Sequence, residues 1–187
     1  MTTSIKTSPK ERKLGFRVLF LAMFAIGTGQ TLFIAVLPPY ARGLGLSEVQ
    51  VGFIFSLSAL GWMMMSPFWG RKSDFIGRKS IIILGLLVYA FTTILMGLEF
   101  RLKELGYINL STLFGLLIFT RGCYGFLGSG AHSASMAYVA DRTTENERSG
   151  VMAVMGSAFA ISGIVGPGLA SAAVMLGPLA VSYTHLT

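Results

Sequence analysis

The chain has 187 residues, of which 53% are hydrophobic and only 12% charged, about half the roughly 25% of an ordinary soluble domain. Its single cysteine, Cys123, excludes an intramolecular disulfide and a cysteine-rich metal centre. The formal charge of +7 implies no nucleic-acid partner, because the basic residues fall in clusters between long uncharged stretches.

Those stretches are Val18 to Ala41, Val49 to Gly70, Ser80 to Leu98, Leu105 to Ala140 with Arg121 inside it, and Ser149 onward. A helix needs about 20 apolar residues to cross a bilayer. Weak alternation and interior glycines favour helices over the strands of a membrane barrel. The pattern predicts an all-α membrane protein with spans at about 15–38, 48–69, 80–98, 111–140 and 150–176.

In chain order, residues 1–14 form a polar, basic tail. The first apolar run is too long for a signal peptide, and no small-residue cleavage site leads into a soluble domain. Pro38 and Pro39 are expected to stop the first helix. Ser47 is a good N-cap for the second, with Glu48 in its first turn. Trp69 fits an interfacial belt, and Gly70 to Lys79 reads as a short, charged turn. The third helix follows, and Glu99 to Asn109 reads as an ordinary connecting loop. After the fourth helix, Thr144-x-x-Glu147 has capping-box spacing and leads into the fifth. Residues 181–187 neither continue a helix nor make a charged anchor, and read as a non-native tail.

Charge orients this arrangement. Lys6, Lys10, Arg12, Lys13, Arg17, Arg71, Lys72, Arg78, Lys79, Arg142 and Arg148 fall on one side, against Arg42, Arg101 and Lys103 on the other. The positive-inside rule places the N-terminus in the cytoplasm. Arg121 is the exception, a charge well inside a span. At that depth it costs about 3 kcal/mol or more, so it should face a bundle interior or a watery cavity. A structural cation bonded to carbonyls is the plainer reading.

Arg121, Gly125, Gly128 and His132 fall on one stripe of an ideal helix. His132 can titrate near neutral pH, or can simply pack between helices. Gln30 in the first span can hydrogen-bond a ligand or a neighbouring helix. Ala153, Ser162, Gly166, Ala170 and Ser171 make a small-residue face on the fifth span, and Pro167 weakens its backbone ladder.

Three of these patterns together resemble the major facilitator superfamily. Gly70, Asp74, Gly77, Arg78 and Lys79 stand in the register of its GxxxD-(R/K)-x-G-R-(R/K) loop, with Phe75 at a position that is usually basic. Arg121 followed by Gly125 is similar to its fourth-helix pattern, with Tyr124 where glutamine is common. Ser162, Gly166, Pro167 and Ala170 resemble its antiporter motif, in which Gly166 and Pro167 are the literal matches. Leu37-Pro38 and Ser66-Pro67-x-x-Gly70 resemble the drug:proton antiporter branch.

The resemblance implies helices 1 to 5 of the N-terminal half of a twelve-helix fold, with the C-terminal half of the same protein missing. It implies a multi-pass protein of the bacterial inner membrane, exchanging a small amphiphilic molecule for protons by alternating access. The Asp74 loop would latch the two halves, and Arg121 would act in coupling or substrate binding. The partners implied are the lipid bilayer, the substrate and protons. A metabolite:proton symporter, or a short membrane partner without transport of its own, remain the alternatives. No cofactor, metal site or enzymatic constellation is expected.

Overall fold

A computed structural model describes residues 8–176. Its five helices are α1 (Pro9–Gly43), α2 (Glu48–Ile76), α3 (Arg78–Glu104), α4 (Leu110–Asp141) and α5 (Glu145–Leu176). All five are long and apolar enough to cross a membrane. The tail at 181–187 lies outside the described residues.

Each helix is longer than its sequence span. α1 begins at Pro9, where Ser8 N–H donates to Glu11 Oε2 at 3.1 Å and closes the first turn. It passes through Pro38 and Pro39 without ending. An interior proline can cost about 3 kcal/mol, but Leu37 and Ala41 are buried against Leu46, Val51 and Ile54, Met96 of α3, and Leu113 and Leu117 of α4. Packing of this end overrides the local stop signal. Leu44 and Gly45 (φ +101°) then release the chain to α2.

Ser47 caps α2, accepting from Gln50 N–H at 3.3 Å while Gln50 Oε1 accepts from Ser47 N–H at 2.9 Å. The expected turn at Gly70 to Lys79 shrinks to one residue, because Arg71 to Ile76 stay helical and α3 starts at Arg78. Gly77 makes that reversal alone, at φ +100°, a conformation that favours glycine. At the start of α5, Thr144 N–H donates to Glu147 Oε2 at 3.4 Å, which puts the capping box to use.

α4 packs on α2 and α3, and α1 packs chiefly on α5. A second buried cluster joins Leu19 of α1, Ile81 and Ile82 of α3, Ala134 and Val139 of α4, and Met155 of α5. Many large apolar side chains remain exposed, among them Leu21, Phe53, Phe91, Ile94, Phe119 and Ile164. Such a surface suits a lipid solvent rather than water.

Candidate functional site

Midway along α4 the helix widens. Leu110–Cys123 and Ser129–Asp141 are α-helical, but Tyr124–Gly128 between them is a π-turn. Such a turn inserts an extra residue and frees a carbonyl. Trp69 of α2 meets the need, its Nε1–H donating to Phe126 O at 2.7 Å. The indole that read as an interfacial anchor is thus bonded to protein backbone.

Arg121 stands just before this turn and is only 4% exposed. Its Nη1 donates to Gln30 Oε1 of α1 at 3.3 Å. Its guanidinium carbon lies 4.5 Å from the ring centre of Phe33, 4.9 Å from Tyr124 and 5.9 Å from Phe55. Each such contact contributes about 0.5–2 kcal/mol according to its dryness. Among the described residues no carboxylate pairs with Arg121, and its Nε is buried without a hydrogen-bond partner. The site therefore holds a positive charge steadied by aromatic faces and one amide, with bonding capacity to spare.

Two cavities meet at this group. One of about 420 Å³ lies over α1, α2 and α4, lined by Gln30, Phe55, Ser58, Trp62, Arg121 and Tyr124 among others. A smaller one, about 200 Å³, lies between α1, α3 and α4 and reaches Gln30, Tyr89, Thr92, Arg121 and Tyr124. Apolar walls with a few convergent polar groups are the usual make-up of a small-molecule site.

The π-turn splits the stripe expected from ideal spacing. Gly125 turns to α2, where an added Cβ would stand 2.5 Å from Ser58 O. His132 lines neither cavity. Its ring packs 6.0 Å from Trp62 and 5.4 Å from Phe159, with Nδ1 buried and unpartnered. Trp62 also lies 5.7 Å from Tyr124, so it spans the two parts of α4.

The α5 motif faces α1. Thr31 Oγ1 donates to Ser162 O at 2.7 Å, and Thr28 Oγ1 donates to Ser162 Oγ at 3.3 Å. A Cβ on Gly166 would lie 2.7 Å from Leu32 N and 2.9 Å from Thr28 O, so the two backbones nearly touch. Ala170 is buried on the same side, while Pro167 and Ala153 are exposed. Pro167 bends nothing enough to end the helix, which continues to Leu176.

At the α2–α3 corner, Arg78 is the hub. It pairs with Asp74, donates Nε–H to Asp141 Oδ2 at 2.9 Å and Nη1–H to Gly70 O at 3.0 Å, and reaches Ser73 Oγ. Ser73 is buried and donates to Gly70 O at 2.6 Å. Lys79 is exposed and forms no ion pair among the described residues.

Sequence reasoning missed Asp141, Ser73 and, above all, Glu99. Read as a loop residue, Glu99 lies inside α3, is 2% exposed, and accepts from Thr120 Oγ1 of α4. The expectation that a connecting loop begins at Glu99 is thereby corrected. The available signal was the absence of glycine and proline from Leu98 to Leu105, which lets the helix continue to its stop at Gly106 (φ +78°).

Comparison with known proteins is consistent with this geometry. Residues 19–184 match the family described as Major Facilitator Superfamily. The chain is similar to Multidrug resistance protein 2 of Bacillus subtilis, 33% identical over 164 residues, covering 88% of this chain and 38% of that protein. It is similar to Multidrug resistance protein 1 of the same organism, 30% identical over 151 residues, covering 81% of this chain and 35% of that protein. Quinolone resistance protein NorA of Staphylococcus aureus is 40% identical over 73 residues, covering 39% of this chain and 19% of that protein. The chain thus spans little more than a third of the length of the two longer-matching relatives.

Proposed function

The chain belongs to the Major Facilitator Superfamily, and from that premise we propose that its five helices serve as the N-terminal part of a twelve-helix, proton-coupled exporter of small amphiphilic molecules. The membrane is the bacterial inner membrane, with the basic end of the bundle in the cytoplasm. Transport proceeds by alternating access, the two halves rocking about a site near the bilayer midplane.

The observation that carries this reading is Arg121, a buried cation with no carboxylate partner among the described residues, at the junction of two largely apolar cavities. A charge held there is costly and marks a pathway or coupling group by default. The names of the similar bacterial proteins support export of drugs in particular. The Arg78 hub supports a latch at the basic end, since Asp74, Arg78 and Asp141 join three helices through exposed, breakable pairs. Small-residue contact between Gly166 and α1 supports a tight α1–α5 pair that moves as one unit.

The test is dye efflux from loaded right-side-out vesicles carrying the twelve-helix protein that contains these five helices, driven by an imposed pH gradient, acid outside. Efflux that stops on collapse of the gradient is expected, and Arg121→Ala should abolish it with membrane insertion intact. Normal efflux by that variant would reject the assignment of Arg121. Uptake with the gradient, rather than exchange against it, would favour a symporter.

A further inference from the structure

Of the eight acidic residues in the chain, Glu11, Glu48, Asp74, Glu104, Asp141, Glu145 and Glu147 are exposed. Glu99 alone is buried, and its environment is unlike theirs. Oε1 accepts from Thr120 Oγ1 across the α3–α4 contact, while Oε2 is sealed from solvent with no hydrogen-bond partner.

Among the described residues none of the charged groups on the neighbouring helices pairs with it. On α1, Tyr40 bonds to Glu104 and Arg42 pairs with Glu48 of α2. On α3, Arg101 pairs with Glu104 at 3.0 Å, and Tyr89 lines the smaller cavity. On α4, Arg121 turns to Gln30, with Tyr124 against its guanidinium. Lys103 stands one helical turn beyond Glu99 and forms no ion pair with it. An ionised carboxylate here would be buried with one hydrogen bond and no counter-ion. Desolvation of that kind costs several kcal/mol, and the group escapes the cost by taking a proton.

We propose that Glu99 is a proton-binding site of the membrane domain, its carboxyl neutral whenever α3 and α4 are packed as here. Closing the contact around Glu99 takes up one proton from water, and parting the helices releases it. A membrane-embedded acid that must be protonated in one arrangement and can ionise in another is what ties proton flow to helix movement. As a coupling group for export it rests on the function proposed above. As a protonated carboxyl it stands alone.

The experiment is infrared spectroscopy of the chain reconstituted in phosphatidylcholine bilayers, reading the C=O stretch of protonated carboxylic acids, which is separate from the carboxylate bands. An unperturbed carboxyl in water is ionised at pH 7 and lies outside that band. The expected result is a one-carboxyl band unchanged between about pH 6 and 8, lost in Glu99→Gln. In Thr120→Val the band should persist at higher frequency, because it loses its hydrogen bond. Absence of the band from the wild type at pH 7 would place an ionised Glu99 beside Lys103 and overturn the proposal. A band that survives Glu99→Gln would do the same. Should Glu99→Gln fail to fold, the wild-type band and its Thr120→Val shift still decide. The readout is protonation, so it can fail while transport succeeds, or succeed while transport fails.

Discussion

Arg78, the first residue of α3, holds its Nε 2.9 Å from Oδ2 of Asp141, the last residue of α4. The same guanidinium pairs with Asp74 near the end of α2, so one side chain joins three helices. The carboxylates are about half exposed, with relative accessibilities of 52% for Asp74 and 49% for Asp141. That exposure limits what the pairs contribute to stability and makes them easy to open and remake.

Loss of one carboxylate should therefore have a small thermodynamic effect. Asp141→Ala is expected to destabilise the chain by about 0.5–1 kcal/mol, the range for solvated ion pairs. Arg78→Ala removes both pairs and the bonds to Gly70 O and Ser73 Oγ, leaving buried Ser73 only its own bond to Gly70 O, and should cost about 2 kcal/mol. Chemical unfolding in detergent followed by helical circular dichroism measures both. A double-mutant cycle between positions 78 and 141 should give a coupling of less than about 1 kcal/mol, shrinking with added salt.

Arg121 should behave in the opposite way, costing stability while serving function. Its guanidinium is buried with one hydrogen bond to Gln30 and an unpartnered Nε. Replacing a buried, poorly satisfied charge with an apolar side chain of similar volume is often stabilising by about 1–4 kcal/mol. Arg121→Met is expected to raise the thermal midpoint in detergent, whereas Gln30→Leu should lower it by removing the cation's hydrogen bond. A lowered midpoint for Arg121→Met would mean that the aromatic contacts with Phe33 and Tyr124 outweigh desolvation.

The glycines divide cleanly by what surrounds them. A methyl on Gly125 would press into Ser58 backbone and one on Gly166 into Leu32 and Thr28 backbone, none of which can rotate aside. Nothing lies within 4 Å of the corresponding position at Gly52 or Gly115. Gly125→Ala and Gly166→Ala should each destabilise by about 1–3 kcal/mol through overpacking. Gly52→Ala and Gly115→Ala should be neutral or stabilising by up to about 1 kcal/mol, as helix propensity alone requires. Thermal midpoints of the four variants, compared side by side, check the division.

Those contrasts indicate what could be read from the residues alone. Five spans, the charge asymmetry, the Ser47 cap and the burial of Arg121 follow from composition and spacing, because they depend on local chemistry and on the length of apolar runs. Helix ends did not follow. Pro38 and Pro39 carry a local stop signal that core packing of Leu37 and Ala41 overrides. Arg71 to Ile76 and Glu99 to Glu104 look like loops by charge, yet contain nothing that breaks a helix. The π-turn was also illegible, since spacing was taken on an ideal helix. That single widened turn separates His132 from the Arg121 cavities and holds the carbonyl that Trp69 meets.

Trp69 offers the direct test of that turn. Its Nε1–H donates to Phe126 O inside the π-segment at 2.7 Å, with Ser129 Oγ a more distant donor at 3.5 Å. Trp69→Phe keeps an aromatic ring against Ile81 and Gly130 but withdraws the donor. Leaving that carbonyl with only the distant Ser129 hydroxyl as donor costs up to about 1–3 kcal/mol, and the helix can reduce the cost by drawing Ser129 closer or by changing its register. Two consequences are therefore separable. If the π-turn is held by its packing, Trp69→Phe loses stability by that amount, while the Trp62–His132 contact stays. If the indole bond itself sustains the turn, α4 relaxes toward an ordinary α-helix and His132 shifts around the axis away from Trp62. In the Trp69→Phe background Trp62 is the remaining tryptophan, so its emission reads the contact directly. An unchanged quenching of Trp62 on protonating His132, alongside a loss of about 1–3 kcal/mol, is the expected result. It would place the origin of the widened turn in the close approach of Gly125 to Ser58 rather than in the hydrogen bond.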